Sequence, residues 1–227
     1  SNRMIRCFDV EHPGKQCTDI PTSKTRRAKQ GQKGLISDLS FNPDRSGCFA
    51  AGSYDMSVGI YVENERACAM ELRGLDFGVT CTRWSPCGTM LWVGGRKHSD
   101  LVCYDIRNTG QELGRVHRDL TTNQRMTFAL DPWGAYLATG TESGRLIVYD
   151  VKTFAAVHSS QISMSCVNSV EYHPYSAVIV GSAGQRSFVV DSDEPVGFED
   201  EKWSELFLLG VDHKKLSIPA DSVEKCP

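Results

Sequence analysis

The sequence predicts an all-β fold built from repeated four-stranded sheets, and two independent regularities support this prediction. Four segments follow one order: an apolar strand, a proline, a second apolar strand, a glycine turn and a third strand. The prolines recur at separations of 43, 46 and 42 residues, and the ends of the third strands recur at separations of 43, 45 and 41. A fixed period of this length indicates a repeat architecture.

These two anchors place the individual elements. The repeats span residues 35–62, 79–106, 126–151 and 167–191, with prolines at Pro43, Pro86, Pro132 and Pro174. The third strands end at Tyr61-Val62, Tyr104-Asp105, Tyr149-Asp150 and Val190-Asp191. A fourth strand is predicted in each of three connectors, at Ala67–Leu72, Gln111–His117 and Phe154–Ser159. Phe8-Asp9 has the form of one more third-strand end, 53 residues before Tyr61.

Four strands in a unit of this length are typical of a blade in a WD-repeat β-propeller. One such sheet cannot bury both of its faces, whereas blades stacked around an axis cover one another. We therefore expect a partial WD-repeat β-propeller, with about four blades plus leftover strands of a larger, seven-bladed ring. An open stack would expose an apolar blade face, so we expect upstream blades to be missing from this chain.

The repeats also suggest the organisation of the chain. The propeller blades are expected in residues 1–192, and an acidic segment with a C-terminal strand or tail in residues 193–227. Within that tail, Trp203–Leu209 is predicted as one more strand, the outer strand of the last blade. Tyr61, Tyr104 and Tyr149 stand where a WD repeat normally has tryptophan, and the usual Gly-His pair is absent. The sequence therefore predicts a degraded polar network behind this signature.

Composition excludes some classes of protein. The 227 residues carry 25 Lys and Arg against 28 Asp and Glu, a formal net charge of −3, which excludes a wholly basic coat protein but not a basic face. No apolar run approaches the roughly 18 residues of a membrane-spanning helix, so no membrane partner is expected. Nine cysteines without short-spaced pairs or histidines at ligand spacing predict reduced thiols in the nucleus or cytosol, and no metal site.

Charge is unevenly distributed over the predicted loops. Because propeller strands alternate in direction, connectors into first strands and turns between second and third strands should share one face. The cations on these loops are Lys24, Arg26, Arg27, Lys29, Lys33, Arg96, Lys97, Arg118, Arg125 and Arg186, and the acids are Asp55, Asp100, Asp119 and Glu142. This distribution predicts a basic face. The alternative is a solvated loop surface whose arginines bond backbone carbonyls.

A basic loop face suits contact with a phosphate backbone. Polar residues Thr121 to Gln124, beside Arg125, could add hydrogen bonds to base edges, which unpaired RNA presents. The candidate RNA-binding residues are Arg27, Lys29, Lys33, Arg96, Lys97, Thr121, Thr122, Asn123, Gln124, Arg125, Gln185 and Arg186. The alternative is that these are structural turns whose side chains satisfy exposed backbone groups.

The sequence does not indicate an enzyme. It contains no carboxylate pair, nucleophile elbow, glycine-rich phosphate loop or His-x-x-x-His element. The six histidines fall at strand ends, in loops or in the tail, without a Ser or Cys partner that spacing would justify. Repeats that present variable loops favour a binding platform, and no cofactor is expected.

Several stretches carry features that are not general to WD repeats. They are Gly94–Arg107; Thr121–Arg125 with Phe128, Leu130, Asp131 and Pro132; Lys29–Gln32 with Gly34; Gly52–Tyr54 with Ser57, Gly59 and Tyr61; and Gly184–Arg186 with Phe188. These stretches resemble the telomerase Cajal body protein 1 family of WD-repeat proteins. The resemblance runs from about Arg3 to Phe188, and the tail beyond Asp191 matches poorly.

The resemblance implies a non-enzymatic role in RNA binding and trafficking. It implies recognition of a Cajal-body box in small Cajal-body RNAs and telomerase RNA, delivery of these particles to Cajal bodies in the nucleus, and support of telomerase assembly and telomere maintenance. The implied partners are these small non-coding RNAs, dyskerin-type box H/ACA proteins, telomerase and a chaperonin for folding. The alternative hypothesis is a protein-only WD-repeat scaffold, for example in DNA repair or another nuclear complex.

Overall fold

A computed structural model describes residues 3–184 and 204–211, except 13, 15–16, 26, 29, 64 and 109–110. The regular structure of these residues is entirely β-strand, which confirms the predicted all-β class. Within this part of the chain, no helix has the length and hydrophobicity needed to cross a membrane. The described residues form two compact units, one ending at His117 and the other beginning at Arg118.

The first unit contains a hairpin and two four-stranded antiparallel sheets. The hairpin is β1 (Met4–Phe8) with β2 (Cys17–Pro21). Blade 1 is β3 (Ile36–Phe41), β4 (Cys48–Ser53), β5 (Ser57–Val62) and β6 (Cys68–Leu72), and blade 2 is β7 (Val79–Trp84), β8 (Met90–Gly95), β9 (Asp100–Asp105) and β10 (Gln111–His117). The predicted strand end at Phe8 is therefore confirmed, whereas β2 was not predicted.

The second unit contains one further four-stranded sheet and one of three strands. Blade 3 is β11 (Phe128–Leu130), β12 (Tyr136–Gly140), β13 (Arg145–Asp150) and β14 (Ala156–Gln161). The last sheet is β15 (Val167–Tyr172), β16 (Val178–Gly184) and β17 (Ser204–Gly210). Each anchoring proline lies between the first and second strands of its sheet, and the three predicted fourth strands correspond to β6, β10 and β14. This is the blade architecture of a WD-repeat β-propeller.

The last sheet differs from the other three in how its third strand is supplied. Strand β17 pairs with β16 along its whole length, from Val178 opposite Gly210 to Gly184 opposite Ser204. A strand has only two edges, and β15 occupies the other edge of β16. The third strand predicted to end at Val190-Asp191 falls on residues outside the described part of the chain. The strand predicted at Trp203–Leu209 is β17, which borders β16 directly.

Apolar faces of neighbouring sheets pack together within each unit. In the first unit, Val58 and Leu72 of blade 1 belong to one buried cluster with Val79, Leu91 and Val102 of blade 2. On the other side of blade 1, the hairpin is held by a second cluster, formed by Ile5, Ile20, Phe49, Ala51 and Tyr61. Blade 1 is thus covered on both faces, which explains why β4 and β5 are buried almost throughout rather than at alternate positions.

In the second unit, blade 3 packs against the three-stranded sheet in the same way. Ala138 and Val148 of blade 3 share a buried cluster with Val170 and Ile179, and Phe207 of β17 packs against this cluster. Strand β17 therefore contributes both backbone pairing and apolar contact. The two packed pairs of sheets hold the connecting loops at defined strand ends, which is what positions the candidate site.

Candidate nucleic-acid interface

The candidate residues that the structure describes belong to connectors and turns at one end of each blade, which we call the turn edge. It is the end where the connector into the first strand meets the turn between the second and third strands. In blade 1 this turn joins β4 to β5, whose paired residues Ser53 and Ser57 mark the turn edge, while Cys48 and Val62 mark the opposite end. Contacts within each blade show whether its connector and its turn meet at this edge.

In blade 1 a carboxylate of the turn fastens the connector. Asp55 Oδ2 accepts hydrogen bonds from the backbone N–H groups of Lys33 at 2.5 Å and Gly34 at 2.9 Å. Burial acts to raise the pKa of Asp55, but the hydrogen bonds from the Ser57 hydroxyl and these backbone groups outweigh it and hold the pKa below its ordinary value. The ionised carboxylate therefore fixes the backbone of Lys33, whose side chain is exposed.

Behind this turn lies a buried polar network, so the predicted degradation of the WD signature is wrong for blade 1. Tyr61 donates its hydroxyl hydrogen to Gln32 Oε1 at 2.9 Å, and both residues are 0% exposed. Gln32 Nε2 donates to the backbone oxygen of Ala51 at 2.9 Å and to Ser57 Oγ at 3.2 Å. Ser57 in turn donates to Asp55 Oδ1 at 2.6 Å. Tyr61, which stands where a WD repeat normally has tryptophan, is thus linked through Gln32 and Ser57 to the turn.

In blade 2 the turn edge carries Arg96 and Lys97, both exposed and directly following β8. The Arg96 backbone N–H donates to the Gly78 oxygen at 2.8 Å, which joins the turn to the connector before β7. His98, in the same turn, packs its ring on Phe77 at 4.2 Å between centroids. Lys97 has a φ of 52°, in the left-handed region that non-glycine residues seldom adopt. The turn therefore directs two cations outward from a fixed backbone.

The two turn edges of the first unit meet at one aromatic side chain. The guanidinium carbon of Arg96, in blade 2, stands over the ring of Tyr54, in blade 1, at 6.0 Å from the ring centroid. Tyr54 precedes Asp55, the residue that fastens Lys33. The structure therefore brings the predicted residues Lys33 and Arg96 to adjoining turns, with Lys97 beside them.

For the other predicted residues of the first unit, Arg27 and Lys29, the described part of the structure gives no contact with this pair of turns. Arg27 is exposed in the same connector as Lys33, six residues earlier in the sequence. Lys29 falls outside the described residues. Tyr54 is a further candidate at this edge that the loop charges alone do not indicate. An aromatic residue between Ser53 and Asp55 was the available signal.

In the second unit, the connector from Thr121 to Arg125 is fastened by a carboxylate as well. Glu142 Oε2 accepts both the backbone N–H and the hydroxyl hydrogen of Thr121, each at 2.8 Å. These bonds from Thr121, backbone first, hold the pKa of Glu142 below its ordinary value. Thr122 Oγ1 accepts the backbone N–H of Gln124 at 3.2 Å. Both threonine hydroxyls therefore shape the loop itself, as the structural alternative proposed.

The remaining members of this loop differ in exposure. Asn123 and Arg125 are exposed, whereas Gln124 is half-buried. Gln185 and Arg186, the candidates in the fourth repeat, lie outside the described residues. That the loops of both units form a single basic face stays a prediction.

The predicted basic face loses one of its cations, because Arg118 is buried. It is one of the predicted loop cations, but its side chain is 0% exposed. Its Nη1 donates to the Met126 backbone oxygen at 3.3 Å and to Thr139 Oγ1 at 3.1 Å. The burial of Val116 and Leu120 shows the reason, because Arg118 continues the alternation of inward-facing residues that begins in β10. Its hydrogen bonds link the connector to β12 of blade 3, and its charge is not exposed.

A different kind of surface lies at the opposite end of the second unit. A cavity of about 300 Å³ opens there between blade 3 and the three-stranded sheet. Its lining is mainly apolar, including Trp133, Leu146, Ile179 and Leu209. Trp133 is 61% exposed at its rim. Such a cavity can accept an apolar side chain of another protein.

One group of side chains in the described residues has the spacing of metal ligands. Asp9, Glu11 and His12, in the turn between β1 and β2, place their ligand atoms within 4.8 Å of one another. All three are exposed, and His12 Nδ1 is 2.9 Å from Asp9 Oδ2. This hydrogen bond accounts for the position of both side chains, and the group has no connection with the turn edges.

Comparison with known proteins gives a consistent result. Telomerase Cajal body protein 1 of Bos taurus is 34% identical over 221 residues, which cover 95% of this chain and 40% of that protein. The protein of the same name from Rattus norvegicus is 35% identical over 219 residues, covering 93% and 40%. The chain thus spans about 40% of the length of these curated relatives. No family model matches the chain.

A solved structure supports the fold alone. A chain in the crystal structure of the mitotic checkpoint complex superimposes with a TM-score of 0.65 at 20% sequence identity. The match covers 81% of this chain and 53% of that chain. It is a WD-repeat propeller, in agreement with the sheets described above.

Proposed function

The chain belongs to the telomerase Cajal body protein 1 family, and from this premise we propose that it is an RNA-binding scaffold and not an enzyme. Its RNAs are small Cajal-body RNAs and telomerase RNA, whose particles it directs to Cajal bodies in the nucleus. This activity supports telomerase assembly and telomere maintenance. Dyskerin-type box H/ACA proteins and telomerase are its protein partners in this role, and a chaperonin assists its folding.

The observation that carries the proposal is the group of exposed cations on the turn edge of the first unit. Lys33, Arg96 and Lys97 project from turns whose backbones are fixed by hydrogen bonds. Because the backbones are already fixed, binding to phosphates has to order only the side chains, and each neutralised phosphate releases counterions. Among the acids near these turns, Asp55 directs its carboxylate oxygens to N–H and hydroxyl groups of its own blade, whereas Asp76, 3.5 Å from His98, has a 77% exposed side chain.

The second unit adds groups suited to reading bases. Asn123 carries an amide that can pair with a base edge, and Arg125 carries a guanidinium for phosphate or guanine. Both are exposed in a loop that Glu142 fastens through Thr121. In this proposal the first unit supplies affinity and the loop of the second unit supplies selectivity.

The proposal is tested by charge reversal in the full-length protein. RNA is recovered after crosslinking and sequenced for the wild type, for Arg96→Glu with Lys97→Glu, and for Arg45→Glu with Arg66→Glu. The control pair lies at the opposite end of blade 1 and is exposed as well. We expect the first pair to lose bound RNA and the control pair to keep it. Equal recovery from both variants would refute the assignment of the site.

The salt dependence of binding gives a second measurement. Each contact with a phosphate of single-stranded RNA contributes about 0.7 to the slope of log affinity against log salt concentration. Loss of the two contacts from Arg96 and Lys97 should therefore lower the slope by about 1.4. The control pair should leave the slope unchanged.

A protein-only scaffold is the alternative function, and the apolar cavity beside Trp133 favours it. An interface centred on this cavity would depend on buried apolar area and only weakly on ionic strength. Replacement of Trp133 by alanine should then abolish capture of the protein partner. Loss of the protein partner in this variant, combined with no specific RNA recovered from the wild type, would favour the alternative.

A further inference from the structure

Tyr54 is the centre of an exposed apolar patch on an otherwise polar edge. It is 42% exposed, and Leu35 and Met56 beside it are 55% and 49% exposed. The Tyr54 backbone N–H donates to the Leu35 oxygen at 3.0 Å, so the patch is continuous across the connector and the turn. Large apolar side chains grouped at an exposed turn indicate a contact surface more than a folding requirement.

The ring of Tyr54 rests on a rigid support. Ser53, which precedes it, is fully buried, and Asp55, which follows it, is held by hydrogen bonds from Lys33, Gly34 and Ser57. A Cβ at Gly78 would lie 3.2 Å from the Tyr54 backbone oxygen, which is a tight contact. The glycine lets the blade 2 connector pass close to this turn, so the backbone that carries the ring is held in place.

The distance between Tyr54 and Arg96 leaves room for a planar group. Flat groups in contact are about 3.5–4.0 Å apart, so a guanidinium, an inserted base and a ring would span about 7–8 Å. Arg96 stands 6.0 Å from the Tyr54 centroid, which exceeds direct stacking and falls short of this span by about 1–2 Å. Insertion of a base therefore requires the exposed Arg96 side chain to change its rotamer.

We propose that an unpaired nucleobase of bound RNA inserts between the Tyr54 ring and the Arg96 guanidinium, with Lys97 and Lys33 on the adjoining phosphates. This inference rests on the proposed RNA-binding function and names the form of RNA that the first unit takes: a single-stranded segment with at least one unstacked base. Stacking on an aromatic ring tolerates every base, because each base has a π-face. Tyr54 therefore selects for single strands and not for sequence.

The test measures binding of two probes to the full-length protein. One probe is a single-stranded oligoadenylate with a fluorescent adenine analogue, and the other is a blunt RNA duplex of equal length. We expect Tyr54→Ala to weaken binding of the single strand about tenfold or more and leave duplex binding unchanged. Tyr54→Phe should behave as the wild type because it keeps the ring. Tyr175→Ala is the matched control, since Tyr175 is a 92% exposed tyrosine in another turn.

Salt dependence and fluorescence separate stacking from charge. Tyr54→Ala should lower affinity equally at every salt concentration, whereas Arg96→Ala should also reduce the slope against salt. The analogue should be quenched by the wild type and by Tyr54→Phe but not by Tyr54→Ala.

Each outcome has a defined meaning. If the wild type binds the single strand and Tyr54→Ala binds it equally well, the stacking inference is overturned and the proposed function stands. If the wild type binds neither probe, the stacking inference is overturned, because a stacked base would be accepted whatever its identity. The proposed function is then judged by the crosslinking experiment alone.

Discussion

Removal of one hydroxyl group tests the buried network of blade 1. Tyr61→Phe deletes the donor that bonds Gln32 Oε1 at 2.9 Å and leaves the stacking of residue 61 on Phe49, at 5.4 Å between centroids, in place. Because Gln32 is 0% exposed, water cannot replace the lost hydrogen. A buried acceptor left without its donor costs about 1–3 kcal/mol. In a domain of this size, that cost lowers the melting temperature by roughly 2–12 °C.

The assay is equilibrium denaturation of four proteins: the wild type, Tyr61→Phe, Gln32→Leu and the double variant. In the Gln32→Leu background the Tyr61 hydroxyl has already lost its acceptor, so Tyr61→Phe should be neutral or stabilising there. Gln32→Leu alone should be destabilising because the Ala51 oxygen loses its donor. A cost of Tyr61→Phe below about 0.5 kcal/mol, or the same cost in both backgrounds, would refute the role assigned to this bond.

Three further changes probe other parts of the structure. Arg118→Ala should lower the free energy of unfolding by about 2–5 kcal/mol in denaturation, yet leave the salt slope of RNA binding unaltered, since its charge is buried. Gly144→Ala should cost at least about 2 kcal/mol, because φ is 83° and the new Cβ would meet the Ser163 oxygen. The lowered pKa of Glu142 adds stability that is present above its ordinary pKa of 4.5 and is lost on acidification. In Glu142→Gln the melting temperature should therefore fall less steeply as the pH is lowered. A melting temperature that depends on pH as in the wild type would contradict this role of Glu142.

Much of the fold could be predicted because the blades repeat a simple pattern. The spacing of Pro43, Pro86, Pro132 and Pro174 marked the turns between first and second strands, since proline fits these turns and not a central strand. The fourth strands were found from their place in the period. Strand β2 was missed because it belongs to a hairpin that has no complete repeat around it.

The candidate site was predictable in location and less so in detail. Lys33, Arg96 and Lys97 are exposed in the connector and turn in which they were predicted. A charged side chain in such a segment normally remains in water. Arg118 is the exception, because it continues the alternate buried positions that include Val116 and Leu120. The apolar residues at these alternate positions were visible in the sequence. Nothing in the order of residues paired Gln32 with Tyr61, because the bond depends on side-chain reach across separate segments.

Strand β17 makes the completion of one sheet depend on the order of synthesis. Most neighbouring strands are joined by short hairpins, but β16 ends at Gly184 and its partner begins at Ser204. Pairing strands that are farther apart in sequence costs little extra at equilibrium, yet a distant partner arrives later than a local one. Until residue 210 has left the ribosome, the Val178–Gly184 edge is open to strands of other nascent chains. A variant truncated before Ser204 would leave the Val178–Gly184 edge without β17, and we expect this variant to aggregate.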